Sequence, residues 1–122
     1  AIDYLRQNAY LISCNRPEFE VLKPQPTDRA LILRRSGPDA VTVFREAQQV
    51  ASVDTVKVSA VDTTGAGDVH LGALIASLAE RQSFETALYR ANLASAYSIQ
   101  KLGGATAPSR SELAQFEKSL RA

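Results

Sequence analysis

Several things are scarce in this 122-residue sequence, and each scarcity excludes something. There is one cysteine, Cys14, so no internal disulfide can form and a reducing compartment fits. It ends the apolar run Tyr10–Cys14, where an inert buried thiol is expected. No stretch approaches the roughly 18 apolar residues of a membrane span. No secretory leader is visible, so a cytoplasmic protein without a membrane partner is expected. There is no block of like charge and no interleaving of basic and aromatic residues. The 14 Lys and Arg against 13 Asp and Glu give a net charge of +1, which speaks against a nucleic-acid partner. A phosphate-binding loop ending in Lys-Ser/Thr is absent, as is a G-x-G-x-x-G dinucleotide motif. What remains, 45% apolar and 22% charged residues without repeats or low-complexity tracts, is one globular domain or a piece of one.

The order of elements narrows the class. Residues Ala1–Asn8 read as the last turns of an amphipathic helix, followed by a buried strand over Tyr10–Cys14. Asn15 is a candidate cap and Pro17 suits a first helical turn, so "NRPEFEVL" predicts a short helix. Two prolines in "KPQPTD" break it. "ALILRR" and "AVTVF", separated by "SGPD", predict a hairpin over Ala30–Phe44. The alternation of Val53–Val61 predicts a further strand. Helices then take over. Val69–Glu80 is apolar or small on nearly every side and should be buried. Ser83 caps a second helix, with Phe84, Leu88, Ala91 and Ser95 at helical spacing, and the glycines of "KLGGATAP" stop it. Ser109 and Glu112 form a capping box for a last helix with the stripe Leu113, Phe116 and Leu120. Strands before helices predict the back half of a larger α/β domain.

One string carries chemistry. "VDTTGAGD", Val61–Asp68, places two glycines and two aspartates where a helix starts. A Gly65–Ala66–Gly67 turn leaves backbone N–H groups uncovered. The first N–H groups of a helix have no intrahelical partner, and its dipole adds positive charge there. Such a turn suits phosphate, or the charge that develops during phosphoryl transfer. Asp68 would repel a resident anion. It makes sense as a general base that takes a proton from an attacking hydroxyl. The plain alternative is a tight strand-to-helix turn with a dipole-friendly acid.

"VDTTGAGD" followed by a helix of small residues resembles the signature of the ribokinase-like, PfkB-type carbohydrate kinases. "NRPE" (Asn15–Glu18) is similar to that family's N-x-x-E element, "RRSGPDAVTVF" to its T-x-G-x-x-G hairpin, and "RANLASAYSIQKLGGATAP" to its adenine-side helix and following Gly-Ala loop. The resemblance runs from about Tyr10 to the last helix. It implies the C-terminal part of a three-layer α/β/α fold. It also implies a kinase that transfers phosphate from ATP, with Mg2+, to a sugar or nucleoside-like small molecule. Residue by residue it makes Asp68 the base and the N–H groups of Ala66, Gly67 and Asp68, on the Gly65–Asp68 turn, the anion hole. Asn15 and Glu18 would act on the magnesium–phosphate side through water. Asp62 and Thr64 would help hold a monovalent cation, as in potassium-activated relatives. Gly37 and Asn92 would line the nucleotide pocket. Read without the resemblance, Asn15 and Glu18 cap a helix, Asp62 ends a strand and Asn92 is a locally bonded amide.

The match also departs from the family. Arg35 and Ala40 stand where its hairpin turn has Thr and Gly, so strain at Ala40 is expected. His70 stands where an aromatic residue is common; packing or a neutral hydrogen bond is expected of it rather than catalysis. Residues 21–29 are shorter than the family's usual helical excursion, as an internal deletion would leave them. The N-terminal half, which in the family carries the sugar site and lid, is not present in residues 1–122. The chain alone is therefore expected to be inactive. A homodimer of the full-length protein is compatible with the resemblance. The competing reading is a non-catalytic, nucleotide-binding regulatory module of the same fold.

Overall fold

The computed structural model describes residues 2–103 and 107–121, and the chain divides into two compact units, 1–54 and 55–122. In the first, the order is α1 (Ile2–Asn8), β1 (Leu11–Cys14), α2 (Arg16–Leu22), β2 (Leu31–Arg34), β3 (Val41–Arg45) and β4 (Gln48–Val53). The four strands form one sheet in sequence order. β1 and β2 are parallel, as a strand–helix–strand crossover requires, and the β2–β3 and β3–β4 pairs are antiparallel.

α2 starts where the sequence places it. The Asn15 side chain accepts from the Glu18 amide and the Glu18 carboxylate accepts from the Asn15 amide, both at 2.9 Å. Leu22 from this helix joins Cys14 and Ile32 of the sheet in a buried cluster, flanked by Ile12, Phe19 and Phe44. Burial, more than the nearby Glu18, pushes the Cys14 thiol up, and its Sγ donates to the Leu33 carbonyl at 3.4 Å. It is thus an unreactive thiol, as expected.

Three expectations for this unit need correction. α1 is amphipathic in the wrong sense: Ile2, Tyr4 and Leu5 are exposed, and the buried residue is Arg6. Its guanidinium meets the Asp28 carboxylate at 2.9 Å and donates to the Lys23 carbonyl at 3.2 Å. Asp28 accepts in addition from the Gln25 amide at 2.7 Å, while the Arg6 carbonyl takes the amides of Arg29 and Ala30. The Pro-rich connection between α2 and β2 is therefore cinched around a buried ion pair. Second, Val53–Val61 is not a strand. The partner of β3 is β4, reached through a two-residue turn in which Glu46 (φ 50°) and Ala47 (φ 66°) are both left-handed. That is the φ pattern of a type I′ hairpin turn, which usually advertises itself through Asn or Gly. Third, Ala40 carries no positive φ; the left-handed residue of the β2–β3 connection is Gly37, at φ 59°.

The second unit holds α3 (Ala66–Ala79), α4 (Phe84–Ile99) and α5 (Arg110–Leu120). α3 and α4 pack on each other, and Val69 and Leu74 of the one and Leu88, Ala91 and Leu93 of the other are all buried. α4 is capped by Ser83, whose hydroxyl accepts from the Thr86 amide. It stops at Ile99, four residues before Gly103. α3 is less enclosed than its composition predicts: Gly72, Ile75 and Ala76 are exposed, so one face is buried and the other open. Small residues are neutral to burial, and here they line a cleft instead.

α5 begins at the predicted Ser109–Glu112 capping box. It buries nothing completely and docks through Tyr97 of α4. The Tyr97 hydroxyl donates to Glu112 at 2.7 Å and accepts from Lys101 at 2.8 Å, and its ring meets Phe116 edge-on at 5.6 Å. The Ser109 amide, followed by Tyr97, lowers the Glu112 carboxyl from 4.5 to about 2. A depressed carboxylate contributes stability above its unfolded pKa and loses it as pH falls through the folded one. We therefore expect α5 to loosen between about pH 4.5 and about pH 2. An NMR titration of Glu112 checks this, and Tyr97→Phe should move its midpoint upward.

Candidate functional site

The string singled out in the sequence folds into a compact turn in the second unit. Asp62 organises the approach. One carboxylate oxygen accepts from the Thr64 amide at 2.9 Å and the other from the Gly103 amide at 3.3 Å. The amides of Val61 and Asp62 both donate to the carbonyl of Ile99, at the end of α4. Thr64 is exposed. Gly65 then adopts φ 74° as the cap residue of α3, a conformation that strains any residue with a Cβ.

This reversal decides which amides find a protein acceptor. The Ala66 amide donates to the Thr63 carbonyl at 3.1 Å, closing the turn. The expectation of three available donors is corrected on that point: Ala66 is committed. The amides of Gly67 and Asp68 take no protein acceptor among the described residues, and the Val69 amide begins the helical ladder by bonding Gly65. Two uncovered N–H groups thus stand at the positive end of a 14-residue helix.

Asp68 occupies the third position of α3. Glu18 and Glu112 occupy the third position of α2 and α5, and both fold back onto their cap residues. Asp68 does not: its carboxylate is exposed and accepts no hydrogen bond among the described residues. It lies at the rim of a cleft of about 460 Å3 that runs along the open face of α3, past Gly72 and Ala76, toward Arg90, Pro108 and Leu113. That volume is within the range of small-molecule sites.

Asn92 does not line an open surface. It is 2% exposed, on α4, and its Oδ1 lies 2.8 Å from Nε2 of His70, which is equally buried. Oδ1 only accepts, so Nε2 carries the proton. His70 is a hydrogen-bonded core residue, as expected. The Gly104–Ala105 loop assigned to the adenine side lies outside the described residues.

Comparison with known proteins decides the affiliation. The model of the pfkB family of carbohydrate kinases matches residues 1–111. The chain belongs to that family. It is 38% identical over 77 residues to the bifunctional protein HldE of Haemophilus influenzae, covering 63% of this chain and 16% of that protein. It is 30% identical over 105 residues to a ribokinase of Lactococcus lactis, covering 84% of this chain and 34% of the ribokinase. Among solved structures, the Arabidopsis thaliana ribokinase complexed with ribose and ATP shares the fold, with a TM-score of 0.80 at 22% identity over 97% of this chain and 43% of that one. The chain thus spans less than half the length of these relatives.

The remaining residues singled out from the pfkB resemblance lie in the first unit. Asn15 and Glu18 follow β1 at the carboxyl end of the parallel pair, where open α/β sheets bind ligands. Asn15 Oδ1 and Glu18 Oε1 are engaged in the reciprocal cap, which leaves Oε2 of Glu18 without a protein donor among the described residues. That fits contact with a magnesium ion through its water shell, and not a coordination cage. No group of three His, Cys, Asp or Glu side chains among the described residues could hold a metal. Gly37 is exposed in the β2–β3 connection, and nothing lies within 4 Å of where its Cβ would be. The sequence reading missed Arg6 and Asp28, an internal pairing of residues 22 apart that no local pattern signals.

Proposed function

We propose that this chain is the C-terminal portion, carrying the phosphoryl-transfer machinery, of an ATP-dependent kinase acting on a hydroxyl of a sugar or sugar-like molecule. The observation that carries the reading is the third residue of α3. Alone among the three acids at that helical position, Asp68 keeps its carboxylate off its own cap, beside two uncommitted amides.

Asp68 takes the proton of the acceptor hydroxyl as its oxygen forms a bond to the γ-phosphorus. The bond from that phosphorus to the β–γ bridging oxygen breaks, and ADP leaves. The N–H groups of Gly67 and Asp68 donate to the equatorial oxygens as charge develops there, and their fixed orientation removes the cost of reorganisation. Magnesium, when bound, would neutralise charge on the polyphosphate. Glu18 and Asn15 would meet its water shell and Gly37 would let the nucleotide approach the backbone. Asp62 and Thr64 would help hold a monovalent cation such as potassium, which would supply positive charge near the turn. Activity belongs to the longer protein that supplies the acceptor site, and the isolated chain is inactive.

The test is turnover of ATP by the intact protein against a panel of sugars and nucleosides, with melting temperature read in parallel. Phosphorylated product and a rise in melting temperature with ATP are expected, because a ligand that binds only the folded state stabilises it by mass action. ATP stabilisation without product across the panel would favour the regulatory-module reading. No effect of ATP on melting would remove both.

A further inference from the structure

We propose that His70, Asn92 and Ser95 are positioning residues: α4 holds the first turn of α3 in register and so aims Asp68. The proposal rests on the reading of Asp68 as the base.

The need arises from the cap. α2 and α5 open with a side chain bonded to the first turn, and both close a capping box. α3 opens with Gly65, which has no side chain to offer, so its first turn lacks that restraint. The turn carrying the base is thus the least restrained of the three by its own sequence.

α4 supplies the restraint from outside. His70 and Ala66 lie four residues apart on one face of α3, with Asp68 between them in sequence. Asn92 and Ser95 lie three apart on one face of α4. Asn92 Oδ1 accepts a hydrogen bond from His70 Nε2 at 2.8 Å, and the Ser95 hydroxyl donates to the Ala66 carbonyl at 3.5 Å, the long end of a hydrogen bond. At the end of α4 the Ile99 carbonyl accepts from the amides of Val61 and Asp62, and past the helix the Gly103 amide donates to Asp62. Residues 92, 95, 99 and 103 therefore stitch the whole approach, from Val61 to His70.

A polar pair here is not explained by stability. Leu74 on α3 and Leu88 and Leu93 on α4 are all buried, so both helices carry apolar residues for packing without it. Burying an imidazole and an amide costs free energy that their mutual bond only offsets. What a buried hydrogen bond between two side chains adds is a single geometry. A slide or rotation of α3 against α4 would break it, whereas leucine contacts would adjust. The chain's only histidine thus sits two residues from the base, where register matters most.

The experiment compares His70→Leu, His70→Gln and Ser95→Ala in the intact protein, reading amide hydrogen exchange at Val69 alongside kinetics. Glutamine places an amide donor where Nε2 stood. We expect His70→Leu to speed exchange at Val69 and lower kcat, each by about tenfold, the value of one hydrogen bond. The KM for ATP should stay within about twofold, since ground-state binding is untouched. His70→Gln should recover most of both effects. Ser95→Ala, a small change at a half-buried site, should give a weaker change of the same kind and keeps the test open if His70→Leu fails to fold. Unchanged exchange at Val69 in folded variants would overturn the proposal. So would a raised ATP KM at constant kcat, which marks a nucleotide contact instead. If the intact protein shows no kinase activity at all, the reading of Asp68 fails, and exchange at Val69 still decides whether α4 restrains the turn.

Discussion

Asp68→Asn in the intact protein should lower kcat by about 10²–10⁴-fold, the usual contribution of a general base. The substitution keeps the size of the side chain and removes only its ability to take a proton. Its cost to folding is small, because the carboxylate makes no hydrogen bond among the described residues. The loss of a favourable charge at the helix start is worth about 0.3–1 kcal/mol. ATP binding, followed by the shift in melting temperature, should persist or strengthen slightly, since a negative charge beside the phosphates is gone. Steady-state kinetics with saturating ATP and acceptor separates these effects. Equal turnover by the two proteins would remove Asp68 from the chemistry and leave the Gly67 and Asp68 amides as an anion site only.

The second large effect concerns folding. Asp28→Ala should destabilise the protein by about 3–5 kcal/mol, because it strands a buried guanidinium. Arg6 and Asp28 expose only 8% and 1% of their side chains, so water cannot replace the lost partner. The change also frees the Gln25 amide and loosens the connection into β2. The double variant Arg6→Met/Asp28→Leu should be markedly more stable than either single alanine, since an apolar pair of similar size carries no desolvation penalty. Chemical denaturation of the four proteins gives the comparison. A single-variant loss below about 1 kcal/mol, the level of an exposed pair, would show that the ion pair contributes little.

What could be read from the sequence was whatever is written within one turn. Both capping boxes, Asn15–Glu18 and Ser109–Glu112, have donor and acceptor three residues apart, and both formed. The β2–β3 hairpin followed from two apolar runs and a Gly-Pro-Asp turn. The Gly65–Asp68 turn declared itself because glycine there has no other purpose. Features that depend on distant partners stayed hidden. Arg6 on a helix that read as amphipathic looked like a solvated charge, and its partner lies in a Pro-rich link that looked like a break. β4 was missed because Glu46 and Ala47 are poor advertisements for a left-handed turn and because the strand is largely exposed, so no apolar alternation marks it. The commitment of the Ala66 amide could not be foreseen either, since it depends on how sharply Gly65 folds the chain.

The burial of Cys14 has a practical side. It is the sole thiol of the chain, protonated and shut away beneath α2. A cysteine introduced at Glu46, on the exposed tip of the β3–β4 hairpin, would be the one position open to maleimide chemistry. A fluorophore or spin label could then be attached there without first removing the native residue.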